Sequence, residues 1–233
     1  IGDWSLTAIP MFLLMGFIAA STGLTSGAFD LLRLLLARLP GGLASASVGA
    51  CGLFAAASGS SIATTAAMSR IAVPEMLRAG YHPTLATGVV AASGTLGSLI
   101  PPSILMVLFG IFTEQSIGQL FIAGVIPGIL SALIYMAMIT IRAARNPKLA
   151  PSVKIDVAPG ELRRLIIAVW PFPVLIFGVL GGIFLGFFTP TEAGAVGAFL
   201  AFTIAALSRR LTFDAVISAV RQTVVATSSI FFL

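Results

Sequence analysis

The stretch GTLGSLIPPS, residues 94–103, decides how this chain folds. It lies inside an uncharged run, residues 84–113, that is long enough to cross a membrane. Yet it holds two glycines, two adjacent prolines, a threonine and two serines. A helix in hydrocarbon must satisfy its own backbone, and Pro101 and Pro102 have no N–H with which to do so. The helix is expected to break here. Non-helical backbone at membrane depth survives only when buried in protein or lining an aqueous cavity, so the break points to a site.

The rest of the chain supports a membrane setting. Of its 233 residues, 58% are hydrophobic and 9% charged, and the mean hydropathy is +1.09. Soluble domains run at roughly 45–50% apolar and about 25% charged. Apolar runs recur at helical-span length, and the short alternating segments of a transmembrane barrel are absent from the sequence. The formal charge of +5 is carried by short loops between apolar runs, which reads as membrane topology and argues against nucleic-acid binding. Cys51, the single cysteine, excludes an internal disulfide and reads as a small packing residue. With no initiator Met and a final apolar run, ATSSIFFL, the sequence is expected to be a piece of a larger membrane domain.

The arginines orient it. Arg142, Arg145, Lys148, Lys154, Arg163 and Arg164 crowd one link, which the positive-inside rule makes cytoplasmic; Arg209 and Arg210 follow two spans later on the same side. Counting backward, Arg70 and Arg78 are also inside. If the segment LASASVGACGLFAAASGSSIATTAAM crossed the membrane, Arg33 and Arg38 would lie outside. If it enters and returns, all thirteen Lys and Arg are cytoplasmic, with Asp3, Glu114 and Glu192 marking outer loops. The second option is adopted; the alternative is a single Gly/Ser-rich span packed tightly against its neighbours. The expected order is a transmembrane helix over 1–28, an interfacial amphipathic helix over 29–42 and a re-entrant hairpin over 43–69. A cytoplasmic loop over 70–83, a broken transmembrane helix over 84–113 and a whole one over 117–141 come next. A basic linker over 142–164, two transmembrane helices within 165–207 and a further interfacial helix opening the 211–233 segment complete it. Trp4 and Trp170 fall near predicted membrane borders as interfacial anchors.

Two interrupted elements near one another make a binding site near the midplane, because carbonyls and hydroxyls replace the water shell of a small cation while half-helix N-termini favour an anion. The hairpin tip offers Ser58, Gly59, Ser60, Ser61 and Thr64; the broken helix offers Ser93, Gly94, Thr95, Gly97, Pro101 and Ser103. Glycines permit unusual backbone angles and close approach. Neither element contains an acid, which disfavours a divalent ion and leaves no carrier for a proton, so sodium is the expected ion. Thr95→Val is expected to weaken sodium activation. The bland alternative is that these hydroxyls bond their own helices and the prolines only kink.

The combination of ASGSSIATTA (57–66), GTLGSLIPPSI (94–104) and GFFTPTEAGAVGA (186–198) resembles the large membrane subunit of tripartite ATP-independent periplasmic (TRAP) transporters of the dicarboxylate permease type. The resemblance runs along essentially the whole chain. It implies an all-α elevator-type secondary transporter with inverted repeats, in the bacterial inner membrane, importing an organic acid with sodium. It also implies a periplasmic binding protein and a small transmembrane subunit as partners, no cofactor beyond the coupling ion, and a second hairpin and broken helix beyond residue 233. Ser60, Ser61, Pro102 and Ser103 become the candidates for the substrate. Two other readings stay open. One is an elevator-type sodium/carboxylate symporter that works without a binding protein. The other is an intramembrane serine protease with Ser58 or Ser60 as nucleophile, for which His82 is the only base and falls in a loop. In TPTEA, Pro190 and Glu192 suit a helix start and its dipole, with a binding-protein contact at Glu192 as the alternative.

Overall fold

The computed structural model describes residues 4–24, 26–151 and 160–232, and these form helices throughout, with no strand among them. A 3₁₀ turn, Trp4–Thr7, leads into α1 (Ala8–Ser21), followed by α2 (Ser26–Leu36), α3 (Gly42–Ser58) and α4 (Ser61–Arg78). Next come α5 (Pro83–Gly94), the one-turn α6 (Leu96–Leu99), α7 (Ile104–Phe112) and the long α8 (Ile117–Arg145). The remainder is α9 (Glu161–Ala168), α10 (Pro171–Phe184), α11 (Pro190–Leu207) and α12 (Phe213–Phe231). By length and composition, α8, the α9–α10 run and α11 each suffice to cross a membrane, and α5 to α7 pass the same test as one span bent by 42°. Asp3 and Lys154 lie outside the described residues, as does the side chain of Trp4.

Two apolar cores hold these helices. In the first, Phe12, Met15 and Ile18 of α1 meet Leu175 and Val179 of α10, Ala201 and Ile204 of α11 and Ala219 of α12. Small residues set the spacing: a Cβ at Gly197 would stand 2.5 Å from the Met15 sulfur and 3.0 Å from Val179. Phe12 also packs edge-on to Phe121 of α8, with centroids 6.1 Å apart. In the second, Ala44, Val48, Cys51 and Ala55 of α3 pack against Met68, Ala72 and Met76 of α4, Val89 and Val90 of α5 and Ile139 of α8. The membrane-length helices keep a broad apolar outside, with Ile126, Phe177 and Phe199 each more than 70% exposed. Such faces are matched to lipid or to other membrane helices.

α3 and α4 form a helical hairpin. They turn at Gly59 and Ser60, and their other ends meet where the Leu43 N–H donates to the Tyr81 hydroxyl at 3.4 Å. The 17 residues of α3 rise about 25 Å, short of a ~30 Å hydrocarbon core.

Several element boundaries differ from the sequence expectations, each for a physical reason. The helix expected over 1–28 stops at Ser21, because Gly23 turns the backbone left-handed at φ +63°, and Arg210 donates to the Gly23 carbonyl at 2.6 Å. The amphipathic helix expected over 29–42 therefore starts at Ser26, and it ends at Leu36. The loop expected over 70–83 is helical through Arg78, despite Pro74. Ala72 and Met76 are wholly buried against the hairpin core, and that packing outweighs the hydrogen bond a helix-interior proline removes. The basic linker expected over 142–164 begins four residues late, since α8 ends at Arg145 with Arg142 and Arg145 in its last turn, where cations suit the helix dipole. In the 211–233 segment, α12 runs unbroken for 19 residues, capped by Thr212, and packs on α1.

Candidate ion and substrate site

The hairpin tip and the helix break meet. At the tip, Gly59 adopts a left-handed conformation, φ +62°, and ends α3 by donating its N–H to the Ala55 carbonyl at 2.8 Å. An L side chain is disfavoured there. Ser60 is extended and caps α4, its hydroxyl accepting from the Ala63 N–H at 3.3 Å. The Gly59 carbonyl, pointing out of the tip, accepts from the Ile104 N–H at 3.0 Å, which is the first amide of α7.

On the other side of the contact, α6 ends at Leu99 and α7 begins at Ile104. The Pro101–Pro102 bond is cis. Neither proline has an N–H, so the carbonyls of Gly97 and Ser98 lose their helical partners. The Ser103 hydroxyl donates to the Ser98 carbonyl at 2.9 Å and replaces the lost partner there. Glycines bring the two elements into backbone contact. A Cβ on Gly97 would lie 2.7 Å from Ser60 C and Ser61 N, and one on Gly59 would lie 2.6 Å from the Pro102 carbonyl oxygen. A Cβ on Gly94 would overlap the Thr65 hydroxyl.

The hydroxyls sort into two groups. Ser58 Oγ and Thr64 Oγ1 lie 3.1 Å apart, both buried, and Thr64 donates to the Ser60 carbonyl at 2.7 Å. With the Ser60 carbonyl they form an oxygen cluster under the tip, while the Gly59 carbonyl faces the break. Ser103 is buried at the break, and Ser60 and Ser61 are half-buried at the rim. Ser93 and Thr95 stand apart from the cluster. Ser93 is buried against the hairpin base, donating to the Val89 carbonyl at 2.6 Å and to Cys51 Sγ at 3.1 Å. Thr95 is exposed and donates to the Ala92 carbonyl at 2.6 Å. Helix-bonded hydroxyls are thus present at several candidates. A hydroxyl that donates to a carbonyl still keeps acceptor lone pairs, so self-bonding at Thr64 does not remove it as a ligand.

Sequence reasoning missed Gly16. A Cβ there would stand 2.6 Å from Ser58 Cα and 2.7 Å from its carbonyl oxygen, so α1 seats the back of the hairpin tip. The available signal was a lone glycine inside the apolar run of α1, which is unfavourable in a helix without a packing reason. At TPTEA, Thr189 and Glu192 form a reciprocal capping box: the Glu192 N–H donates to Thr189 Oγ1 at 3.3 Å, and Glu192 Oε2 accepts from the Thr189 N–H at 2.8 Å. The structural role of Glu192 is the one seen. No group of three or more His, Cys, Asp or Glu able to hold a metal occurs among the described residues, so the tip offers neutral oxygens only.

A helical hairpin whose tip abuts the break of a bent span, set among apolar helices long enough to cross a membrane, is the architecture of an all-α integral membrane protein. The family model for the tripartite ATP-independent periplasmic transporter DctM component matches residues 1–233, and the chain belongs to that family. It is 46% identical over 197 residues to the C4-dicarboxylate TRAP transporter large permease protein DctM of Pseudomonas aeruginosa, covering 84% of this chain and 45% of that one. It is 37% identical over 216 residues to the isethionate TRAP transporter permease protein DctMQ of Oleidesulfovibrio alaskensis (90% and 33% covered). It is 34% identical over 230 residues to the sialic acid TRAP transporter large permease protein SiaM of Vibrio cholerae (98% and 53% covered). The chain spans about half the length, or less, of these curated relatives. The family and these relatives are transporter permeases, not enzymes, which sets the protease reading aside. The protein is a multi-pass protein of the bacterial inner membrane.

Proposed function

We propose that this chain forms the first-repeat part of the permease subunit of a sodium-coupled, elevator-type secondary transporter that imports an organic acid. The reading rests on the meeting of hairpin tip and helix break, through the Ile104-to-Gly59 hydrogen bond and the Gly97 contact on Ser60 and Ser61. Sodium is held at the neutral oxygens of Ser58, Gly59, Ser60, Thr64 and the Gly97 carbonyl. Bound sodium fixes the tip against the break, which positions the rim hydroxyls of Ser60 and Ser61, together with Ser103 and Pro102, for a carboxylate. The N-terminus of α4 lies at that rim and favours an anion. Each ligand then tightens the other's binding by an equal factor.

The relatives named for C4-dicarboxylates, isethionate and sialic acid all correspond to organic anions, which agrees with the absence of acids at the tip. The partners proposed are a periplasmic binding protein and a small membrane subunit, which the family's tripartite description supports. The test is uptake into proteoliposomes by the full-length protein with its small subunit. Labelled carboxylates are supplied with and without an inward sodium gradient, and with and without the binding protein. Uptake that needs both is the expected result. Sodium-driven uptake without the binding protein moves the chain to the independent symporters, and sodium-indifferent uptake overturns the ion site.

Accessibility of the tip gives a separate check. Ser60→Cys is expected to react with a membrane-impermeant maleimide from the cytoplasmic side, while the wholly buried Cys51 stays unlabelled as an internal control. Protection of Ser60→Cys from both aqueous faces in every condition rules out a tip that reaches a water-filled cavity.

A further inference from the structure

A cavity of about 570 Å³ lies between α1, α4 and α12. On α4 its wall runs through Ala63, Ala67 and Arg70, from just past the hairpin tip toward the foot of the same arm. Seven residues of helix cover about 10 Å, so the cavity runs from the neighbourhood of Ser60 to the middle of α4, on the side that leads toward its Arg78 end. The alanines keep this wall smooth and narrow in side-chain bulk. Two charged residues line the cavity, Arg70 and, on the first turn of α12, Asp214; Ser218 and Gln222 add neutral polar groups. Among the described residues the ion pairs are Arg33–Glu75 and Arg78–Glu75, so neither Arg70 nor Asp214 is engaged in one.

We propose that Arg70 is a cytoplasmic way station for the organic anion, meeting its carboxylate in this cavity as it leaves or re-enters the hairpin site. The inference rests on the organic-acid reading above and adds a residue and a route to it. A guanidinium presents a planar fork of donors that matches a carboxylate two bonds at a time, and an ion pair partner within the protein would have blanked it. A cationic group in a cleft raises the local concentration of an anion beside it. Asp214 opposes that field. It keeps the cavity from becoming a trap, so the anion is held loosely enough to leave.

The two charges therefore make predictions of opposite sign. Full-length protein with its small subunit is placed in proteoliposomes whose lumen is preloaded with unlabelled carboxylate, and the binding protein is supplied only outside. The internal concentration that half-inhibits labelled uptake is measured. Arg70→Gln is expected to raise it roughly five- to tenfold, and Asp214→Asn to lower it by a similar factor, with the external half-saturation unchanged in both. Arg70→Lys, which keeps the charge, should stay within about twofold of the parent. Internal and external values that move together, or an internal value that moves in neither variant, overturn the way station. If Arg70→Gln does not assemble, a lowered value in Asp214→Asn with a near-parental Arg70→Lys sustains the proposal, and any other pairing overturns it. A parent protein that moves no carboxylate at all removes the organic-acid reading, and this inference with it.

Discussion

Gly59→Ala is expected to lower uptake at least tenfold, whereas Gly186→Ala leaves it near the parental rate. Both glycines are left-handed, at φ +62° and +74°. Placing an L residue there costs about 1–2 kcal/mol in either case. Only at Gly59 does the added methyl also meet a backbone, since its Cβ would stand 2.6 Å from the Pro102 carbonyl oxygen, while nothing lies within 4 Å of one at Gly186. The Pro102 carbonyl belongs to the rigid double-proline break and cannot swing aside like the end of a flexible chain. The tip must withdraw instead, and with it goes the Ile104-to-Gly59 hydrogen bond. Comparing the pair removes the strain common to both, leaving the tip-to-break contact as the difference. Uptake that falls equally in the two variants assigns the effect to backbone strain alone. Protein amount and thermal stability in membranes, measured alongside, separate loss of transport from loss of fold.

The parts of this fold that were legible in the sequence are those where the sequence breaks a rule. Pro101 and Pro102 in an uncharged span announce the break, and Ser58-Gly59-Ser60-Ser61 in a segment poor in large side chains announces the turn. Both are local violations of helix chemistry, readable without neighbours. What was not legible depends on neighbours. Pro74 signals a helix end, yet α4 continues past it because Ala72 and Met76 are buried on α3 and α5. Gly16 signals a close approach within an apolar helix, but what approaches is unknown until Ser58 is placed against it. Ser93 and Thr95 share the composition of a ligand set with Ser58 and Thr64, but helical rotation turns Ser93 toward Cys51 and leaves Thr95 on an exposed face. Spacing along one helix fixes which residues share a face. It does not fix which face the hairpin takes.

Thr64→Val supplies the second large effect. Valine preserves the shape and removes the hydroxyl, so the buried pair with Ser58 at 3.1 Å and the bond to the Ser60 carbonyl at 2.7 Å are lost together. The Ser60 carbonyl keeps the Thr64 backbone N–H at 3.0 Å, so the structural penalty is that of two ordinary side-chain hydrogen bonds, about 0.5–1.5 kcal/mol each. The loss to sodium is larger, because a buried ligand oxygen cannot be replaced by solvent as readily as one at the surface. The half-saturating sodium concentration is expected to rise about tenfold or more, which corresponds to roughly 1.4 kcal/mol or more of binding, with uptake recovering at high sodium. Ser58→Ala should act in the same direction, and the double variant should be less than additive, since both remove one shared arrangement. Thr95→Val is expected to weaken sodium activation by much less, its hydroxyl being exposed and committed to the Ala92 carbonyl. A shift at Thr95 as large as that at Thr64 moves the ion to the outer face of the broken helix and away from the tip. Equal, unshifted sodium curves in all four variants leave backbone carbonyls alone to hold the ion.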